Sequence, residues 1–170
     1  MKINDVQTKG NITAMIPKEN LPQSTRINVV LNQTAYEKAL EKFKGDLDDT
    51  LKRIKPEGFD DKLQKFFVTT KLESELTDEE KKKCEELKAD PDYAEFKETM
   101  DKVNSDYSEA QKKIIEENDY DVKERAYSDA DLEAIATVLP SGGTTTVKLN
   151  GKDTSVPNDE LLHLILWNFA

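Results

Sequence analysis

The hydrophobic positions of this chain fall into stripes that are separated by long charged stretches. The longest stripe lies in residues 91–117, where apolar side chains recur three and four residues apart among Asp, Glu, Lys, Asn and Ser. Alternating steps of three and four are typical of a coiled-coil seam on one helix. Asp90 followed by Pro91 predicts where this helix begins, because Asp accepts hydrogen bonds from the free amides of the first turn and Pro has no amide proton.

A second apolar stripe follows Thr34, which together with Glu37 makes a capping box and therefore predicts the start of another helix. Pro56 predicts the end of that helix. We expect the two stripes to face each other, so that the two helices form one long antiparallel pair. The predicted helix-pairing seam consists of Tyr36, Leu40, Phe43, Leu47, Tyr93, Phe96, Met100, Val103, Tyr107 and Ile114.

The stretch before the first predicted helix shows no helical period. Residues 1–25 are polar and contain Pro17 and Pro22, which interrupt any central strand. We therefore predict an extended arm, which is a disordered tail, a strap over its own chain, or an arm that docks on another subunit. The run Arg26–Asn32 is rich in β-branched residues and predicts a short strand.

The C-terminal stretch predicts a small α+β unit. Ser128 and Asp131 have capping-box spacing, and the run around Asn150-Gly151 has the preferred two-residue sequence of a type I′ hairpin. The last segment is apolar on nearly all sides, so we expect it to be buried, either in its own chain or in another protein. Its apolar side chains are Leu161, Leu162, Leu164, Ile165, Leu166, Trp167 and Phe169.

These patterns predict a mainly α fold. Its main feature is a long antiparallel, coiled-coil-like helical pairing, flanked by an extended N-terminal arm and a small C-terminal α+β unit with a β-hairpin. The predicted segments are an arm with a short strand at 1–32, a helical coiled-coil-like domain at 33–126, and a helix, hairpin and apolar terminal helix at 127–170.

Charge and composition narrow the classes of function. The chain has 25 Lys and Arg against 35 Asp and Glu, a net charge of -10, which argues against direct nucleic-acid binding because phosphate contacts need clustered basic residues. No run approaches the ~18 apolar residues of a membrane span, and Met1–Asp5 has no apolar signal core. We therefore expect a protein made in the cytoplasm, for which a virus particle is an alternative final location.

The residues that usually carry chemistry are scarce. Cys84 and His163 are the only residues of their types, and together they do not supply a zinc ligand set. Near-matches to a calcium-binding loop lack the required Gly and the closing Glu. We therefore predict no catalytic, cofactor-binding or metal-binding residues, and a protein that is not an enzyme.

The favoured interpretation is a non-enzymatic structural or adaptor protein that acts through protein–protein contacts, as a component of a larger assembly such as a virus particle. Its expected partners are other proteins or copies of itself, and the terminal segment 161–169 is the predicted partner-binding surface. Two alternatives remain open. One is an acidic inhibitor or nucleic-acid mimic that binds a basic cleft through the carboxylates near 46–49, 73–80 and 116–121. The other is a small enzyme that uses carboxylates.

Overall fold

The chain is mainly α, as the apolar stripes predict. The structure, a computed structural model, describes residues 1–67, 73–149 and 152–169. Its helices are α1 (Ile3–Met15), α2 (Gln23–Ile54), α3 (Phe59–Phe66), α4 (Asp78–Lys88), α5 (Pro91–Glu117), α6 (Asp129–Val138) and α7 (Asn158–Phe169), with a 3-10 turn at Glu73–Glu75. Strands β1 (Thr144–Leu149) and β2 (Lys152–Pro157) pair antiparallel with Thr144 opposite Pro157, which confirms the hairpin. Its predicted turn, Asn150-Gly151, lies outside the described residues.

Several predicted helix ends are confirmed by their capping contacts. Helix α5 begins at Pro91, and the Asp90 carboxylate accepts the amide of Asp92 at 2.9 Å. A complete capping box opens α6, where Ser128 Oγ accepts the amide of Asp131 at 3.2 Å. Helix α4 has the same arrangement at its own start. These local signals depend on neighbouring residues alone, which is why the sequence reveals them.

The predicted N-terminal arm is wrong, because most of it forms α1. The residues of α1 that face inward include Gly10 and Thr13. Neither is an apolar residue, so the sequence does not show an apolar pattern of helical period. A Cβ placed on Gly10 would lie only 3.2 Å from the Cβ of Tyr36, so glycine lets α1 approach α2 closely. Pro17 and Pro22 lie between the two helices, where they interrupt neither.

The strand predicted at Arg26–Asn32 is also wrong. These residues belong to α2, which begins before them and not at Thr34. The hydroxyl of Thr34 donates instead to the carbonyl of Val30, one turn earlier, at 2.9 Å. The buried stripe of α2 has helical spacing, but two of its members are polar and disguise the period. The buried positions in this part of α2 are Thr25, Val29, Asn32, Tyr36, Ala39 and Phe43.

The chain divides into two compact units, residues 1–45 with 115–170 and residues 46–114. The first unit is built on a core to which α1, α2, α6 and α7 all contribute. Its buried members are Ile12, Ile16, Leu21, Val29, Tyr127, Ile135, Leu139, Leu161 and Ile165. These two units do not coincide with the three predicted segments. The boundaries of those segments stay a prediction.

The second unit has an aromatic core. Phe59 and Phe66 of α3 pack with Phe96 and Val103 of α5, and the rings of Phe66 and Phe96 stack with centroids 5.1 Å apart. The end of α2 runs antiparallel to α5: residues 50–54 share a groove with 110–114, and residues 54–56 share another with 95–106. A long helix pair is therefore present, with α3 packed against it.

The predicted helix-pairing seam is divided between the two cores. Tyr36 and Phe43 are buried in the first unit, where the Phe43 ring meets the edge of Tyr120 at 6.1 Å. Phe96 and Val103 are buried in the second unit beside α3. A continuous coiled coil along the whole seam stays a prediction.

Two leucines of α7 differ in burial, so their substitutions by Ala should differ in how much they lower stability. Leu161 is 0% exposed and Leu166 is 43% exposed. Leu161→Ala should lower the free energy of unfolding by about 2–5 kcal/mol, since it leaves a cavity in the core. Leu166→Ala, the matched control, should cost below about 1 kcal/mol. Urea denaturation followed by circular dichroism measures both, and equal losses would contradict this packing.

Candidate functional site

Between α5 and α6, residues 118–128 form an extended segment that is held on α2. Tyr120 and Tyr127 are buried, whereas Asp121, Lys123 and Arg125 are exposed. From Tyr120 to Arg125 the exposure alternates, which indicates that one edge of this stretch packs on the core and the other faces solvent. Residues 121–125 therefore present one acidic and two basic side chains outward.

One buried amide side chain fixes the segment on α2. Asn32 is 0% exposed; its Nδ2 donates to the carbonyl of Arg125 at 2.9 Å, and its Oδ1 accepts the amide of Arg125 at 2.8 Å. A carboxamide carries a donor and an acceptor in one plane, so a single side chain satisfies both backbone groups of one residue. The pair therefore sets which residue of the segment lies opposite Asn32.

A buried carboxylate makes the second attachment, at the start of α6. Asp131 Oδ1 accepts the hydroxyl of Thr25 at 2.7 Å, and Oδ2 accepts Asn28 Nδ2 at 3.2 Å and the amide of Ser128 at 3.1 Å. Burial raises the pKa of this carboxyl, but the hydrogen bonds from Thr25, Ser128 and Asn28 lower it by more, so the pKa lies below its usual value. Asp131 is therefore ionised and structural at neutral pH.

A third group of polar side chains lies under the segment. Lys9 Nζ binds both carboxylate oxygens of Glu124, at 2.9 and 3.0 Å. The hydroxyls of Tyr36, Tyr127 and Thr13 are buried and make no well-formed hydrogen bond to the described residues. Burial raises the pKa of both tyrosines above its usual value, and the Glu124 carboxylate raises that of Tyr36 further. Both phenols therefore stay neutral and serve as packing groups.

On its outer side, the segment borders a groove of about 330 Å³ against α2. We call it the basic groove. Its lining residues are Leu31, Thr34, Ala35, Lys38, Asp121, Lys123 and Arg125. Among the described residues, the three basic side chains find no carboxylate within ion-pair distance. The groove is therefore locally positive on a chain whose net charge is -10.

An apolar patch continues from the basic groove along α2. Ile27, Val30 and Leu31 are 46%, 44% and 39% exposed, and they lie at positions i, i+3 and i+4 of the helix. They therefore share one face with Lys38. The sequence does hold this signal, but the strand predicted at 26–32 places Val30 on the opposite face from Ile27 and Leu31 and so conceals it.

Helix α7, the predicted partner-binding segment, has two faces. Leu161 and Ile165 are buried in the core of the first unit, and Leu162, Leu164 and Phe169 pack against that core. Its opposite face holds Trp167 at 81% exposure beside Leu166. The exposed ring of His163 stacks on that of Trp167, with centroids 6.5 Å apart and 12° between the planes. We call His163, Leu166 and Trp167 the α7 edge.

Other chemistry finds little support in the described part of the chain. Cys84 is a free, partly exposed thiol on α4, and His163 is exposed on α7. The residues with assigned positions include no group of three or more His, Cys, Asp or Glu side chains that could hold a metal ion. None of the described helices is long and apolar enough to cross a bilayer. The candidate functional sites are therefore two exposed surfaces, the basic groove with its apolar patch and the α7 edge.

No protein-family model, curated protein or solved structure matches this chain. The basic groove holds basic side chains that make no ion pair with the described residues, and the α7 edge holds a large aromatic ring exposed to water.

The ionised form of Asp131 should make stability depend on pH. Because its pKa in the folded chain lies below the unfolded value of about 3.9, its contribution is present above that unfolded pKa and is lost as pH falls through the folded pKa. Asp131→Asn should therefore lower the free energy of unfolding by about 1–3 kcal/mol at neutral pH. The difference from the parent chain should shrink below about pH 4.

Urea denaturation across a pH series measures this difference. Asp129→Asn is the matched control, because Asp129 is an exposed carboxylate in the first turn of the same helix. If the difference in the free energy of unfolding between Asp131→Asn and the parent stays constant from neutral to acid pH, the charge of Asp131 is not what stabilises the contact.

Proposed function

We propose that this chain is a non-enzymatic structural or adaptor protein that acts through protein–protein contacts, with the α7 edge as its docking element. The observation that carries the proposal is the 81% exposure of Trp167 beside the exposed Leu166. Tryptophan is enriched among the residues that contribute most to protein interfaces, because its large ring gains much on leaving water. A single exposed apolar residue is common on protein surfaces. Two adjacent ones, on a helix that is fixed to the core, are more typical of a binding surface.

The anchoring of α7 supports this function, since a rigid edge loses little conformational entropy on binding. Asn158 is buried at the first turn, where its Nδ2 donates to the carbonyl of Pro140 at 3.0 Å and its Oδ1 accepts the hydroxyl of Thr145 at 2.7 Å. The backbone amide of Asn158 donates to the carbonyl of Gly143 at 3.0 Å. A Cβ on Gly143 would lie 2.7 Å from Asn158 Nδ2, so the contact requires glycine.

Two separate docking surfaces suit a component of a larger assembly. The α7 edge offers an aromatic contact, and the basic groove offers an apolar contact with a positive rim. A protein with two such surfaces binds two neighbours, or binds one neighbour reciprocally. A virus particle is an assembly of this kind, and we propose cytoplasmic synthesis before incorporation. The favoured partners are proteins, including copies of this chain, and not nucleic acid.

Affinity capture should show whether the α7 edge is the docking element. Tagged full-length chain and its Leu166→Ser/Trp167→Ser variant are used as bait in a lysate of the source, and the bound proteins are identified by mass spectrometry. We expect the specific partner to be lost with the variant and kept at high salt, because an apolar contact is not screened. Lys82→Ser/Lys83→Ser on α4, which changes two exposed residues, serves as the control.

Two results would count against this function. If the variant with Leu166 and Trp167 substituted captures the same partners as the parent chain, the α7 edge is not the docking element. Partners that disappear at high salt from every bait would favour the acidic inhibitor or nucleic-acid mimic, since its contacts depend on carboxylates.

A further inference from the structure

We propose that the basic groove and its apolar patch receive the α7 edge of a second copy of this chain. The inference rests on the proposed function, since it names the partner of the same docking element. Both halves of the contact lie in the first unit: an apolar and basic face on α2, and an apolar and acidic face on α7. The basic side chains of the α2 face can pair with the acidic side chain of the α7 face, and the apolar side chains of both faces can pack together.

The spacing of the two faces matches. On α2, Leu31 and Lys38 are seven residues apart; on α7, Glu160 and Trp167 are also seven residues apart. Seven residues are close to two helical turns, so the members of each pair lie on the same face, about 10 Å apart. When the two helices are laid antiparallel, Glu160 meets Lys38 while Trp167 meets Leu31. Both contacts form together.

The charges of the two faces are complementary. Lys38, Lys123 and Arg125 rim the basic groove with only Asp121 to oppose them. Glu160 is exposed in the first turn of α7 and has no ion-pair partner among the described residues. The acidic first turn of α7 therefore meets the basic middle part of α2 around Lys38.

The size of the contact sets the strength to expect. The apolar side chains involved are few: Ile27, Val30 and Leu31 on one copy, and Leu166 and Trp167 on the other. Interfaces this limited are weak, and the net charge of -10 on each copy adds long-range repulsion that salt screens. We therefore expect association with a dissociation constant in the micromolar range, roughly 1–100 µM.

Charge reversal tests the pairing of Lys38 with Glu160. Lys38→Glu places two carboxylates together when two copies associate, and Glu160→Lys places two ammonium groups together. Each variant alone should therefore associate about tenfold more weakly than the parent chain, because like charges across an interface are unfavourable. An equimolar mixture of the two variants restores both opposite-charge contacts, and so does the double variant Lys38→Glu/Glu160→Lys. Both should recover the parent affinity.

Sedimentation velocity of the full chain, over a concentration series from about 1 to 500 µM at about 0.15 M salt, gives these affinities. Lys82→Glu, a charge reversal at an exposed position of α4, is the matched control and should associate like the parent. Trp167→Ser should abolish association. Since all the changed residues are exposed, circular dichroism spectra of the variants should equal that of the parent.

A parent chain that remains monomeric throughout the series would overturn the inference, as would association that Lys38→Glu, Glu160→Lys and Trp167→Ser all leave unchanged. Failure of the mixture to recover affinity would also overturn it. A monomeric chain that still captures a partner through Leu166 and Trp167 would leave the proposed function standing and reject only the second copy. In that case, the α7 edge would bind a different protein and not the basic groove of a second copy.

Discussion

The arrangement of the first unit depends on a pair of hydrogen bonds between the side chain of Asn32 and the backbone of Arg125. No strand in the described part of the chain pairs with residues 118–128, so their position depends on side chains and on the contact with Met1. Asn32 holds the middle, Asp131 holds the end next to α6, and Met1 exchanges two backbone hydrogen bonds with Tyr120 at the other end. A buried amide is costly unless both its donor and its acceptor are satisfied, so Asn32 favours this one register.

The functional surfaces follow from that register. With Arg125 held opposite Asn32, the alternation of the segment turns Lys123 and Arg125 outward to form the rim of the basic groove. The alternation ends at Ala126, which is exposed like Arg125, and Tyr127 then faces inward, where its ring packs with that of Phe169 with centroids 5.3 Å apart. Phe169 belongs to α7, so the contact that closes the core also helps to hold the α7 edge. One anchored segment thus links both proposed docking surfaces.

Sequence reasoning succeeds where the signal is local and fails where polar residues fill core positions. The capping box at Ser128, the Asp90-Pro91 start and the hairpin pattern are local, and they predict α5, α6, β1 and β2 correctly, whereas the box predicted at Thr34 lies inside α2. The stripes of α1 and α2 contain Gly10, Thr13, Thr25 and Asn32, whose burial only makes sense once their tertiary partners are known. The apolar character of α7 is evident from the sequence, but the division between its core face and its exposed edge depends on packing. The basic groove is missed because residues far apart in sequence form it.

Amide hydrogen exchange at Arg125, measured by nuclear magnetic resonance in the parent and in Asn32→Ala, tests the central claim most directly. The Arg125 amide donates to Asn32 Oδ1, so removing this acceptor should speed its exchange by roughly 5- to 150-fold, equivalent to about 1–3 kcal/mol. Gln33→Ala, a change to the neighbouring amide that contacts Glu37 instead, should leave that exchange unaltered. An Arg125 amide that exchanges equally fast in all three proteins would show that Asn32 does not hold the segment.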